Sequence, residues 1–191
     1  MKNEGVDFKM LPTWRPDKAM AVENSEQYKT YIGKLEAAAD TDISTYSQLV
    51  DALYNRHNYF DNLGCRLSDH GLTACSFSPT SDQEIARIFN KVMSGNTLFP
   101  LEVEQFKTTL LLEFGRMDAE KNWTKQLHLG AMRNNNSRML KNLGPDTGFD
   151  SIGDFSQGQK LAAYLDTLDA SDELPKTIIY NLNPSDNELI A

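Results

Sequence analysis

The chain has 191 residues, 40% of them hydrophobic and 24% charged, the balance of an ordinary globular protein. Lys and Arg number 19 against 27 Asp and Glu, a net charge of −8, and with no basic run this argues against nucleic acid or an anionic membrane surface as a partner. No apolar stretch approaches the roughly 20 residues that span a bilayer, MKNEGVDF lacks the apolar core of a secretory signal, and Cys65 and Cys75 fit no zinc or redox spacing, so reduced thiols and a cytoplasmic location are expected.

Along the chain, Val6, Phe8 and Met10 alternate, which predicts a short strand over 6–11 stopped by Pro12. The polar group Thr13-Trp14-Arg15-Pro16-Asp17-Lys18 follows it. Over 19–38, Tyr28, Tyr31, Ile32 and Leu35 form a helical stripe, and a clearer helix is expected over 45–60, with Tyr46, Leu49, Val50, Leu53, Tyr54 and Phe60 at three- and four-residue steps. Residues 64–67 read as a second strand ending in Ser68-Asp69-His70-Gly71. Ser81 with Glu84 three residues later is a capping box for a helix that buries Ile85, Ile88, Phe89 and Val92 and stops at Gly95. Phe106, Leu110, Phe114 and Met117 line one face of a helix over 103–117. A third strand is expected over 125–131, with Leu127, Leu129 and Ala131 on one face and His128 on the other. Then come a long polar loop, a helix over 155–168, a fourth strand over 177–182, and Asn183-Pro184 as the cap and first residue of another helix.

Strands alternating with helices imply parallel strands joined by helical crossovers, an α/β fold. Four such strands are half of an eight-stranded barrel, and an open sheet with helices on both faces shares the pattern. No internal repeat, low-complexity tract or linker divides the chain, so 1–191 reads as a single segment.

The sharp polar clusters fall after predicted strands, where parallel α/β folds carry their sites. Arg15 offers a planar fork for a carboxylate, or else a salt bridge to Asp17 that shapes the loop. His70, beside Asp69 and Gly71, reads as a general base, a ligand or an oriented donor, the bland alternative being a surface histidine in a turn. His128 points away from its leucine neighbours toward a pocket or is a satisfied core histidine, and His57 reads as solvated or helix-capping, with no role. Arg133, Asn134, Asn135, Asn136 and Arg138 suit a polyol and its carboxylate, or serve loop architecture. GxGxxG, Walker A, HExxH and GxSxG are absent, which removes the usual anchors of dinucleotide, nucleotide-triphosphate and serine-hydrolase chemistry.

The segments MLPTWRPDKAM (10–20), DNLGCRLSDHGL (61–72), QLHLGAMRNNNSRMLKNLGPDTGFDSIGD (126–154) and TIIYNLNPSDNE (177–188), in that order, resemble the uronate isomerases over essentially the whole chain. The resemblance implies a partial (β/α)8 barrel of the amidohydrolase-like superfamily, with about four parallel strands and their crossover helices. It also implies interconversion of D-glucuronate with D-fructuronate and of D-galacturonate with D-tagaturonate by proton transfer between C2 and C1. On this reading His70 and Asp69 are catalytic, and Arg15, His128, Arg133, Asn135 and Arg138 bind substrate. A complete barrel needs about 250 residues, and the family's H-x-H pair and strand-end aspartate for its metal are missing from this chain. An internal fragment is therefore expected, holding no metal itself and inactive alone, with a divalent metal (zinc or manganese) in the complete enzyme. Exposed barrel edges would then self-associate or pair with the remaining parts. The alternatives are a metal-dependent hydrolase of the same superfamily and a non-catalytic sugar-acid-binding module.

Overall fold

A computed structural model describes residues 8–191. Helix α1 (Ser25–Ala39) starts where Asn24 accepts the amide hydrogen of Gln27, and α2 (Tyr46–Asn62) starts at the reciprocal Thr45–Gln48 capping box. The chain then enters strand β1 (Leu67–Leu72). Ser81 caps α3 (Asp82–Met93) through the Glu84 amide, while the Glu84 carboxylate turns to Arg87 rather than closing the expected box. Helix α4 (Pro100–Glu120) opens with proline at its first position, and the buried Glu102 carboxylate takes the Phe99 amide at 2.7 Å together with Lys91 and Arg87 of α3. Strand β2 (Thr124–Leu129) follows, then β3 (Ala131–Met132), α5 (Ser137–Leu143), β4 (Ser151–Ile152), α6 (Gly158–Asp169), β5 (Lys176–Asn181) and the short α7 (Asn187–Ile190).

The sheet has three parallel strands in the order β1-β2-β5. At its β1 edge Trp14 makes one parallel bridge to Ser68, through Trp14 N to Leu67 O (3.3 Å) and Asp69 N to Trp14 O (3.0 Å). The strand expected over 6–11 is not formed at 8–11, and 6 and 7 lie outside the described residues. That fourth strand is a single bridging residue further along the chain. Strand β1 also runs over 67–72 rather than 64–67, so Ser68, Asp69 and His70 belong to the strand itself.

Register assigns every sheet residue to one of two faces. Ser68, Lys125 and Thr177 align, as do His70, Leu127 and Ile179, and these face the helices. Asp69, Gln126 and Ile178, then Gly71, His128 and Tyr180, form the opposite face, which is largely open to solvent. The core lies on the helix side, around Phe106, Leu110 and Phe114 of α4, with Ile88 and Phe89 of α3, Leu49 and Leu53 of α2, and Tyr164 and Leu168 of α6. Helices on one face of a parallel sheet, with the other face bare, form a section of barrel wall rather than a sheet covered on both sides. No helix among the described residues is long and apolar enough to cross a membrane.

Gly115 sets how closely α6 approaches α4, because a Cβ there would lie 2.5 Å from Leu168 Cδ1 and 3.2 Å from Tyr164 Oη. Gly115→Ala is expected to lower stability by about 1–3 kcal/mol through overpacking, although alanine is the better helix former. A urea titration checks this, and an unchanged or raised midpoint would contradict it.

Candidate functional site

At the carboxyl ends of β1 and β2 the bare face opens into a cleft of about 630 Å³, lined by Arg15, Asp69, His128, Arg133, Asp150 and Ile152 among others. Arg15 arrives from the loop after Trp14. Its Nε reaches Asp17 Oδ2 at 3.3 Å and its Nη1 reaches Asp69 Oδ2 at 3.1 Å, so the loop-shaping salt bridge to Asp17 weighed from sequence is present, with Asp69 as a second carboxylate partner. Gly71 lies directly beneath it, and a Cβ at that position would stand 2.3 Å from Arg15 Nη2, so a side chain there would displace the guanidinium. His128, 46% exposed at its side chain, brings Nδ1 to 2.7 Å from Asp69 Oδ1 and stacks on the Tyr180 ring at 4.6 Å. Both contacts follow from register, because Tyr180 pairs with His128 across β5 and Asp69 projects from the same face of β1.

The rim is the polar loop after β2. Strands β3 and β4 pair antiparallel across its base. Asp150 accepts from Arg133 Nη1 at 2.6 Å and from the Asn134 amide at 2.9 Å, Asn134 taking the left-handed backbone (φ 57°) that asparagine tolerates. The Asn134 amide and the Arg133 guanidinium together hold the Asp150 carboxyl below its ordinary value. Asn135 donates to Met132 O and to Phe149 O, and Asn136 caps α5, so both shape the loop. Arg138 is exposed on α5, outside the residues that line the cleft.

The geometry thus gathers Arg15, Asp69, His128 and Arg133 but sends His70 the other way. His70 is fully buried on the helix side, stacked on Phe114 at 5.7 Å. Its Nδ1 lies 2.9 Å from Asp17 Oδ1 and its Nε2 3.0 Å from Lys125 Nζ. An ammonium has donors only, so Nε2 accepts from Lys125 and Nδ1–H donates to Asp17. Lys125, itself fully buried, pairs with Asp118 Oδ2 at 2.7 Å. Asp118 also takes Ser68 Oγ at 2.6 Å and His57 Nε2 at 3.1 Å. His57, expected in solvent, is instead buried between Trp14 and Trp123. Its place was readable, since Leu49, Leu53 and His57 fall at four-residue steps on one face of α2. Lys125 carried no such signal.

Burial, then the Lys125 charge, hold the His70 pKa below its ordinary value. For Asp17 and Asp118 burial acts upward but is outweighed, by His70 in one case and by Lys125 with its neighbours in the other, so both carboxyls end up lowered. A second hollow of about 520 Å³ lies on the other side of Asp17, crossed by the pairs Lys107–Glu23 and Lys160–Glu104, and contains none of Arg15, Asp69 or His128. Both cysteines are free and buried, burial pushing the Cys75 thiol up to about 12. Among the described residues, no three His, Cys, Asp or Glu side chains gather as a metal site. Asp69 and His128 do not by themselves fit one.

Three parallel strands with helices on one face and a polar cleft at their carboxyl ends have the form of a section of a (β/α)8 barrel. The family model for glucuronate isomerase matches residues 1–191, and the chain belongs to that family. It is 50% identical over 190 residues to a uronate isomerase of Bacteroides fragilis, covering all of this chain and 41% of that protein. The crystal structure of uronate isomerase from Thermotoga maritima superposes with a TM-score of 0.86 at 34% identity, over 92% of this chain and 38% of that one. A glucuronate isomerase from Caulobacter crescentus shares the fold at a TM-score of 0.82 and 24% identity. The chain therefore spans about two fifths of the length of the relatives it matches.

The buried groups set a pH dependence. A histidine held neutral in the fold protonates first in the unfolded chain, so stability falls as pH drops below about 6.5. The lowered Asp17 and Asp118 add stability that is present above about pH 4 and is lost as pH falls further. His70→Asn is expected to flatten the upper of these two declines relative to the parent chain, read as urea midpoints between about pH 7 and 5. Parallel curves for the two proteins would contradict it.

Proposed function

We propose that residues 1–191 form the central part of a uronate isomerase barrel and supply the carboxylate end of its substrate site. The supporting observation is the cleft itself, in which Arg15, Asp69 and His128 meet at the strand ends of a chain that belongs to the glucuronate isomerase family. The reaction is an aldose–ketose isomerisation, D-glucuronate to D-fructuronate and D-galacturonate to D-tagaturonate. A proton leaves C2 and another is delivered to C1 through an enediol, while charge on oxygen is stabilised.

Arg15 takes the uronate carboxylate in its fork, presenting Nη2 and sharing Nη1 with Asp69. His128, with Nδ1 against Asp69 and its ring fixed on Tyr180, holds or passes a proton beside the sugar hydroxyls. Arg133 closes the rim from the loop, whereas Asn135 acts through the loop's shape. A divalent metal, zinc or manganese, is proposed for the complete enzyme, with ligands beyond this chain's described residues. The 191-residue chain alone is inactive on this reading, and its bare sheet face pairs with the rest of the barrel or with itself. The location is cytoplasmic.

Isomerisation of D-glucuronate and D-galacturonate by the full-length protein tests the assignment. Arg15→Lys keeps the charge but loses the fork, and should raise KM about 10- to 100-fold by removing roughly 1.5–3 kcal/mol of charge-assisted hydrogen bonding. A KM equal to the parent's would remove Arg15 from the site.

A further inference from the structure

We propose that the buried side chains Asp118, Lys125, His70 and Asp17 form a positioning chain that sets the orientation of Arg15 and so the carboxylate end of a bound sugar acid. The proposal rests on the isomerase reading above. Arg15 is half exposed at its side chain and long, and an arginine left free would lose several rotamers on binding. Three restraints hold it: Asp17 Oδ2 at Nε, Asp69 Oδ2 at Nη1, and the bare backbone of Gly71 under Nη2.

Asp17 is itself aimed. The Gly71 amide donates to its Oδ2 at 2.8 Å and His70 Nδ1–H to its Oδ1 at 2.9 Å, so both carboxylate oxygens are used and the plane cannot turn. The His70 ring is fixed by its stack on Phe114 and by Lys125 at Nε2, and Lys125 by its pair with Asp118. A cation at Nε2 makes the Nδ1–H a stronger donor, which tightens the bond to Asp17. Lys125, Asp17 and Asp118 are the charged groups that bear on the His70 ring, and one tautomer satisfies all of these contacts. His70 does not line the cleft and works through Asp17 alone.

Two substitutions in the full-length protein separate this role from mere stability. Asparagine at 70 places an amide where Nδ1 stands and keeps a donor for Asp17, whereas glutamine places it where Nε2 stands and leaves Asp17 Oδ1 without one. His70→Gln is expected to raise KM for D-glucuronate about ten-fold with kcat little changed, and His70→Asn, which keeps the donor to Asp17 but loses the acceptor for Lys125, by only about three-fold. An unmoved KM in both variants, or an equal rise in both, overturns the proposal. Imidazole ¹⁵N resonances of the unsubstituted protein give a second test that needs no variant to fold. The Nδ1–H tautomer of His70 is expected, and Nε2–H overturns the chain. A full-length protein that isomerises no uronate sinks the isomerase reading and this proposal with it. One that isomerises while His70→Gln leaves KM untouched sinks only the positioning chain.

Discussion

An ammonium and a carboxylate 2.7 Å apart, with no exposed surface on either side chain, sit between the sheet and its central helix. Taking each ion out of water costs several kcal/mol, and such a pair survives only when its remaining hydrogen-bonding capacity is filled. Here Ser68 and His57 fill Asp118, and His70 takes a further hydrogen from Lys125. The contact therefore fixes more than its own geometry. It holds the last turns of α4 against β1 and β2, demands an acceptor at position 70, and draws α2 in through His57. Removing one partner would leave the other as an uncompensated buried charge, a loss of about 3–5 kcal/mol in comparable pairs.

From that point the sheet works as a partition. Its helix side carries the ion pair and the imidazole between aromatic rings, and its open side carries the carboxylate, the second imidazole and the tyrosine that face the cleft. Among the described residues Asp17 links one to the other, taking the His70 Nδ1–H on the helix side and the Gly71 amide at the end of β1. The cleft side presents one guanidinium, one imidazole–carboxylate couple and a hydrogen-bonded rim.

Much of this was legible in the residues. The cap at Ser81, the apolar stripes of α2, α3 and α4, and the parallel alternation of strands and helices all show in the structure. Arg15, Asp69, His128 and Arg133 line one cleft, although Asp69 and His128 lie within strands rather than after them and no strand forms at 8–11 ahead of Arg15. What escaped was polar burial. Ser68, His70 and Lys125 break the apolar alternation that announces a strand, so β1 was read three residues early and its inner face went unseen. Their partners, Asp17 and Asp118, come from elements folded over them, Asp17 lying some fifty residues from His70, and no local period reports such a pairing. The first strand differs for the opposite reason: an alternating run was present at 6–11, but 8–11 form no strand and, among the described residues, the backbone pairing there falls on Trp14.

Asp69 and His70 are neighbours that leave the backbone in opposite directions. A slip of β1 by one residue against β2 would carry the carboxylate in among the aromatic rings and the imidazole out to the cleft, exchanging every contact at once. A single residue added or lost within 67–72 therefore inverts both faces beyond it unless a bulge absorbs the change, whereas a pair leaves each side chain on its own face.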